Sequence, residues 1–235
     1  VNVLLNAVSI GTTTANGAGV WTFDYTGTVL TDNSYVITAI ASDTSGNSSA
    51  ASAAFNITVD TGVQAAPVVT GISTDSGTAG DGITNDNTLV IAGTAEAGAS
   101  VNVLIDAVSI GVATANGAGV WSYNHGGTVL ADNTYAITAI ATDVAGNVSS
   151  PSAAFNISID TGTPATPSVT AFSTDTGVNG DGITGDNTLT FSGTAEANAT
   201  VTVLLNAASI GTVTASGAGN WTFDYTGTVL ANNSY

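Results

Sequence analysis

The chain repeats itself with a period of one hundred residues. Val101-Asn102-Val103-Leu104 aligns with Val1-Asn2-Val3-Leu4 and with Val201-Thr202-Val203-Leu204, and Trp21, Trp121 and Trp221 hold the same place in three copies. Residues 1–61 and 101–161 are identical at 41 of 61 positions without a gap. A period of this length limits what the chain can fold into. Solenoid turns take about 20–50 residues and lean on their neighbours, whereas about 100 residues can close a β-sandwich around a core of its own.

Residues 62–161 contain every element of the unit once. An apolar stretch, Pro67 to Ile72, follows a linker rich in Pro and Ala, and a long polar loop, Ser73 to Asn87, comes next. Alternation then marks strands around Leu89-Ile91-Gly93, Val101-Val103-Ile105, Trp121-Tyr123, Tyr135-Ile137-Ala139-Ala141 and Phe155-Ile157-Ile159. Asn116-Gly117 is a tight-turn signal that offers a hairpin its positive φ. β-branched residues dominate and no helical period is sustained. About seven short strands separated by turns predict an all-β chain of tandem immunoglobulin-like sandwiches. Residues 1–61 lack the first two strands and 162–235 lack the last ones, so each of these partial repeats is expected to leave sheet edges open and its core incomplete. The two pieces are roughly complementary. Head-to-tail association of chains is one expectation from that, and boundaries set only by how a fragment was taken are the other.

Charge narrows the function classes. The chain has no Lys, Arg, Cys or Met, but fifteen Asp, two Glu and one His, for a net charge of −17. Disulfides and thiol chemistry are excluded. Without a basic patch, nucleic-acid binding is not expected, and no apolar run reaches the roughly 18 residues of a membrane span. So many negative groups without a positive partner in the chain need a counter-charge where they cluster.

Several runs carry a family likeness. Ser73-Thr74-Asp75-Ser76-Gly77, Gly80-Asp81-Gly82-Ile83-Thr84-Asn85-Asp86-Asn87 and Gly93-Thr94-Ala95-Glu96-Ala97-Gly98-Ala99 resemble the Ig-like repeats of giant bacterial surface adhesins. So do Ala141-Thr142-Asp143-Val144-Ala145-Gly146-Asn147 and Ile159-Asp160-Thr161-Gly162. These are the extender repeats of biofilm-associated, type I-secreted RTX adhesins, and the likeness spans the whole chain. It implies an extracellular spacer stiffened by calcium at and near domain junctions, with the host or surface ligand bound elsewhere in the full protein.

The acids themselves suggest where calcium would bind. Ca²⁺ takes about 6–8 oxygens from carboxylates, carbonyls and waters. Asp75, Asp81 and Asp86 share one Gly- and Asn-rich loop, and Asp175, Asp181 and Asp186 repeat it. The spacing is not that of an EF-hand, and a solvated polar turn is the plainer reading of the same residues. A second candidate follows from sandwich topology, which brings the loops holding Glu96 and Asp143 to one pole, facing Asp60 at the end of the preceding unit. Asp160 and Glu196 repeat that arrangement. Carboxylates so placed repel unless neutralised or protonated, and a bound cation would lock the hinge against an otherwise flexible linker.

Other residues read as structural. His125 stands where the other copies have Tyr25 and Tyr225, Asp106 stands where they have Asn6 and Asn206, and one Trp per unit suits a core better than a sugar platform. No repeated base accompanies the hydroxyls and no nucleophile-elbow motif occurs, so no catalytic site is expected. The leading expectation is a calcium-stiffened spacer supporting adhesion and biofilm formation. A carbohydrate- or protein-binding Ig-like module and the stalk of a secreted enzyme are the alternatives, and the sameness of the copies favours the spacer.

Overall fold

The computed structural model describes residues 1–235, and the chain divides into two compact units, Val1–Thr161 and Gly162–Tyr235. The first unit opens with β1 (Asn2–Leu5), β2 (Val8–Thr12), β3 (Asn33–Ile40) and β4 (Phe55–Val59). They form one antiparallel sheet in the order β2-β1-β3-β4. No second sheet faces it, so Phe55 on β4 is 66% exposed, and Trp21, in the segment between β2 and β3, is 38% exposed.

The same unit continues into a complete sandwich, made of β5 (Val68–Ile72), β6 (Ile83–Thr84), β7 (Val90–Thr94), β8 (Ser100–Ile105), β9 (Val108–Thr114), β10 (Val120–Asn124), β11 (Asn133–Thr142) and β12 (Phe155–Ile159). One sheet is ordered β10-β7-β5 and the other β6-β12-β11-β8-β9. All pairings are antiparallel except β6 with β12. The chain thus enters on one sheet as β5 and crosses to the other as β6, where it lies parallel to the last strand. The expected alternation is what fills the core. Val101, Val103 and Ile105 point inward from β8, Ile137, Ala139 and Ala141 from β11, and Ile157 and Ile159 from β12, all buried. Each large aliphatic side chain buried there contributes about 1.5–3 kcal/mol.

Trp121 lies at the centre of this core with 1% of its surface exposed. It fits because residue 93, opposite it in the β10–β7 register, is glycine. A β-carbon built on Gly93 would lie 2.3 Å from the Trp121 ring and 2.1 Å from the Val68 carbonyl oxygen. Trp221 and Gly193 repeat the fit in the second unit, where Trp221 is 3% exposed. That unit contains β13 (Ser168–Ser173), β14 (Thr190–Thr194), β15 (Thr200–Leu205), β16 (Ala208–Thr214) and β17 (Asn220–Asp224), in sheets β13-β14-β17 and β15-β16. It buries only a small cluster around Val201, Val203, Ala215 and Trp221.

Two strands go beyond the apolar stretch and the five alternating runs. β6 is two residues long inside a polar loop, and β9 has a glycine, Gly111, in its middle and several exposed side chains. The turn expected at Asn116-Gly117 is also built differently. Gly119 supplies the positive φ of 75°, while Asn116 Oδ1 accepts hydrogen bonds from Ala118 N at 2.9 Å and Val120 N at 3.0 Å. The two-residue hairpin lies elsewhere, at Asp106-Ala107 between β8 and β9, where φ is 49° and 64°. That is the pattern of a type I′ turn. Asp106 Oδ1 accepts from Ala136 N at 2.9 Å, and Asn6 does the same for Val36 N in the first repeat. Asn and Asp both tolerate this backbone and both present the acceptor, which is why they interchange here.

Candidate functional site

The joint between the first two repeats brings together the three acids that topology singled out. Asp60 follows β4, Glu96 lies between β7 and β8, and Asp143 follows β11. With Thr58, Val144 and Ala145 they line an open hollow of about 210 Å³. The pole of the middle repeat is shaped by the turn Asp143–Asn147. Asp143 Oδ1 accepts from Gly146 N at 2.7 Å and Asn147 N at 2.9 Å, and Asp143 Oδ2 accepts from the Asn147 side-chain amide at 2.8 Å. These donors hold the Asp143 carboxyl below the usual aspartate range, the Asn147 side chain most of all. The same amide also donates to the Asp60 backbone carbonyl at 3.1 Å, a direct bond across the joint.

The upstream side of the joint is pinned by a residue that sequence reading passed over. Asp32 Oδ1 accepts from Thr61 N at 3.0 Å and Thr61 Oγ1 at 2.8 Å, which fixes the chain next to Asp60. Asp132 does the same for Thr161, at 3.1 and 2.8 Å. The signal was available, because Asp-Asn stands at residues 32–33 and again at 132–133. Asp60 itself uses Oδ1 to accept from Gly62 N at 2.9 Å.

The acidic loop of the middle repeat is the crossover between sheets, and Thr84 organises it. Thr84 is 1% exposed; its hydroxyl donates to Thr74 O at 2.5 Å and accepts from Asp86 N at 3.0 Å. Its carbonyl accepts from Asp160 N at 3.0 Å, which ties the loop to the end of β12. The three acids act separately. Asp75 Oδ2 accepts from Gly80 N at 2.6 Å, Asp81 Oδ1 from Ile83 N at 2.9 Å, and Asp86 Oδ1 from Thr88 N and Thr88 Oγ1, both at 2.9 Å. Bonds from the Thr88 backbone, first of all, lower the Asp86 carboxyl below its ordinary value. The second unit repeats the scheme with Asp175, Asp181 and Asp186, and Thr188 lowers the Asp186 carboxyl likewise.

Two observations bear on whether a cation fits. Asp75 Oδ1 and Asp175 Oδ1 are both buried and without a hydrogen-bond partner. A buried carboxylate oxygen with no donor is costly, so it suits a cation as its partner. On the other side, no three acidic or histidine side chains converge closely enough to hold a metal by themselves. A hard cation here would draw one or two carboxylates and complete its shell with carbonyl and water oxygens, a mixture Ca²⁺ accepts.

The remaining acids and singled-out residues divide clearly. Asp160 belongs to the first compact unit and Glu196 to the second; Glu196 Oε2 accepts from Ala165 N at 3.3 Å. His125 is half-buried at the end of β10, with its ring 6.2 Å from Tyr123. Tyr225 sits 6.2 Å from Phe223 in the equivalent place, so the imidazole fills an aromatic position. Trp121 and Trp221 are core residues.

Immunoglobulin-like sandwiches in tandem, with an acidic joint between consecutive repeats, define the class of protein. The chain belongs to the family described as bacterial Ig-like domain, which matches residues 1–61, 64–161 and 163–235. No curated protein matches it. Among solved structures it is similar to the fibronectin(III)-like modules of CbhA from Clostridium thermocellum, at 18% identity and a TM-score of 0.36 over 67% of this chain and 76% of that one. It is also similar to a structure described as giving insight into host cell surface retention of a 1.5-MDa bacterial ice-binding adhesin. That likeness has 24% identity and a TM-score of 0.38, over 96% of this chain and 74% of the other.

Proposed function

We propose that this chain is a structural, non-catalytic spacer of a bacterial cell-surface adhesin, working outside the cell in adhesion and biofilm formation, with joints stiffened by calcium. The observation that carries the reading is the open hollow lined by Asp60 of one repeat and by Glu96 and Asp143 of the next. Three carboxylates at a joint, in a chain without Lys or Arg, leave an exogenous cation to balance the charge. Family membership and the ungapped similarity of the copies support a scaffold, since a ligand-reading face would differ from copy to copy. The buried, partnerless oxygens of Asp75 and Asp175 support extending the calcium reading to the crossover loops.

Binding only the folded, aligned state stabilises it by RT ln(1 + [Ca²⁺]/Kd), or about 2.7 kcal/mol at one hundred times Kd. A Kd on the order of 10⁻⁴ M suffices outside cells. The test is thermal melting and small-angle scattering of the 235-residue chain in calcium and in chelator. Higher melting temperature and narrower inter-domain distances in calcium are expected. Superimposable curves would sink the calcium part of the reading.

A further inference from the structure

The joint contains an element that needs no ion. The Asn147 amide nitrogen carries two hydrogens, and each has an acceptor: Asp143 Oδ2 at 2.8 Å within the repeat and the Asp60 carbonyl at 3.1 Å across the joint. The first repeat supplies an internal comparison. Asn47 donates to Asp43 Oδ2 at 2.8 Å with the same turn geometry, while both residues stay exposed. The bond inside the turn therefore forms in both copies and directs the second hydrogen outward. In the middle repeat that hydrogen meets the preceding repeat, and Asp143 and Asn147 are half-buried.

We infer that Asn147 is the positioning residue of the joint, a latch that aligns the two repeats before any cation binds and orients the Asp143 carboxylate toward the hollow shared with Asp60 and Glu96. The alignment half of this stands on the two hydrogen bonds alone, and the second half rests on the calcium reading above. Only a donor that is itself neutral can do this work. A lysine would neutralise the acids and a carboxylate would repel them, whereas an amide bonds a carboxylate and a carbonyl at once and leaves the charge for an incoming cation. Asp143 keeps Oδ1 occupied by backbone donors, so removing Asn147 frees Oδ2 without dissolving the turn.

The chain has no cysteine, so Ala18→Cys and Ala118→Cys, both on exposed turns, allow one spin label in each repeat. Pulsed electron resonance then reads the inter-repeat distance distribution. In chelator the labelled parent should give a narrow distribution, and Asn147→Ala a broad one. Asn147→Leu, of similar size but with neither donor nor charge, should also broaden it, and decides the matter if the alanine variant folds poorly. Asn47→Ala removes the equivalent turn bond without touching the joint and should leave the distribution narrow. In a calcium titration Asn147→Ala should need about tenfold more calcium to narrow its distribution. An unchanged distribution for both Asn147 variants in chelator would overturn the latch, as would equal broadening by Asn47→Ala. If calcium leaves the parent and every variant unaltered, the calcium reading and the orienting role fall, while the chelator comparison still decides the latch.

Discussion

Gly93→Ala should be among the most damaging one-carbon changes in the middle repeat. The new β-carbon would lie 2.3 Å from the Trp121 ring and 2.1 Å from the Val68 carbonyl oxygen, both well inside van der Waals contact. Side-chain motion can relieve only the first. Trp121 is 1% exposed and belongs to the same buried cluster as Ile91 and Val101, so even that motion displaces packed atoms. The second obstacle is backbone, and clearing it means parting β5 from β7. Overpacking a core costs about 1–3 kcal/mol, and two simultaneous obstacles put this variant at about 3 kcal/mol. For a domain of this size that lowers Tm by roughly 12–24 °C. The assay is thermal and urea unfolding followed by near-ultraviolet circular dichroism. A double-mutant cycle with Trp121→Ala sharpens it. Trp121→Ala alone should cost about 3–5 kcal/mol. Since it also removes one of the two clashes, the double variant should be less unstable than the sum by about 1 kcal/mol or more. A Gly93→Ala protein with unchanged midpoints, or strict additivity, would refute the claim that Trp121 is seated against a bare backbone.

Gln64 is 3% exposed and neither of its amide atoms has a partner, so Gln64→Met should stabilise the first unit by about 1–2 kcal/mol in urea titrations; a loss of stability would show that the amide is satisfied. Asp132→Ala removes the acceptor for Thr161 N and Oγ1 and should cost about 1 kcal/mol, with increased amide exchange at Thr161 as its local mark. The Asp224 carboxyl is held below the usual range by the Thr226 side chain and backbone. A depressed native value adds stability that is present above the unfolded pKa of about 4 and is lost as pH falls through the native value. Thr226→Val should therefore move the carboxyl resonance of Asp224 to titrate at higher pH, and an unmoved midpoint would contradict the assigned cause. Finally, with a net charge of −17, the chain in chelator should melt at higher temperature as sodium chloride is raised, because screening relieves self-repulsion; a falling Tm would count against it.

Much of the joint was legible before any coordinates. Asp60, Glu96 and Asp143 recur at positions that sandwich topology sends to one pole, and the hollow collects all three. Their partners were less visible. Asn147 and Asp32 look like ordinary turn formers in sequence, because a hydrogen bond to a residue 87 or 29 positions away leaves no local pattern. The crossover loop ran the other way. Its acids look like one cluster, yet each caps its own stretch of backbone, since Asp and Asn bond readily to amides two or more residues on.

By itself the sequence determined the unit, its all-β character and the inward face of each strand. Period-two alternation and the hundred-residue repeat are local or self-referential signals, and burial follows them directly. Tertiary structure decided what pairs with what. It set the passage of the first strand from one sheet to the other through Thr84, the true hairpin at Asp106-Ala107, and the amide of Asn147 shared between two repeats. These depend on the free energy of long-range contacts, where a buried hydroxyl or a neutral donor finds its partner only once the sheets have closed around it.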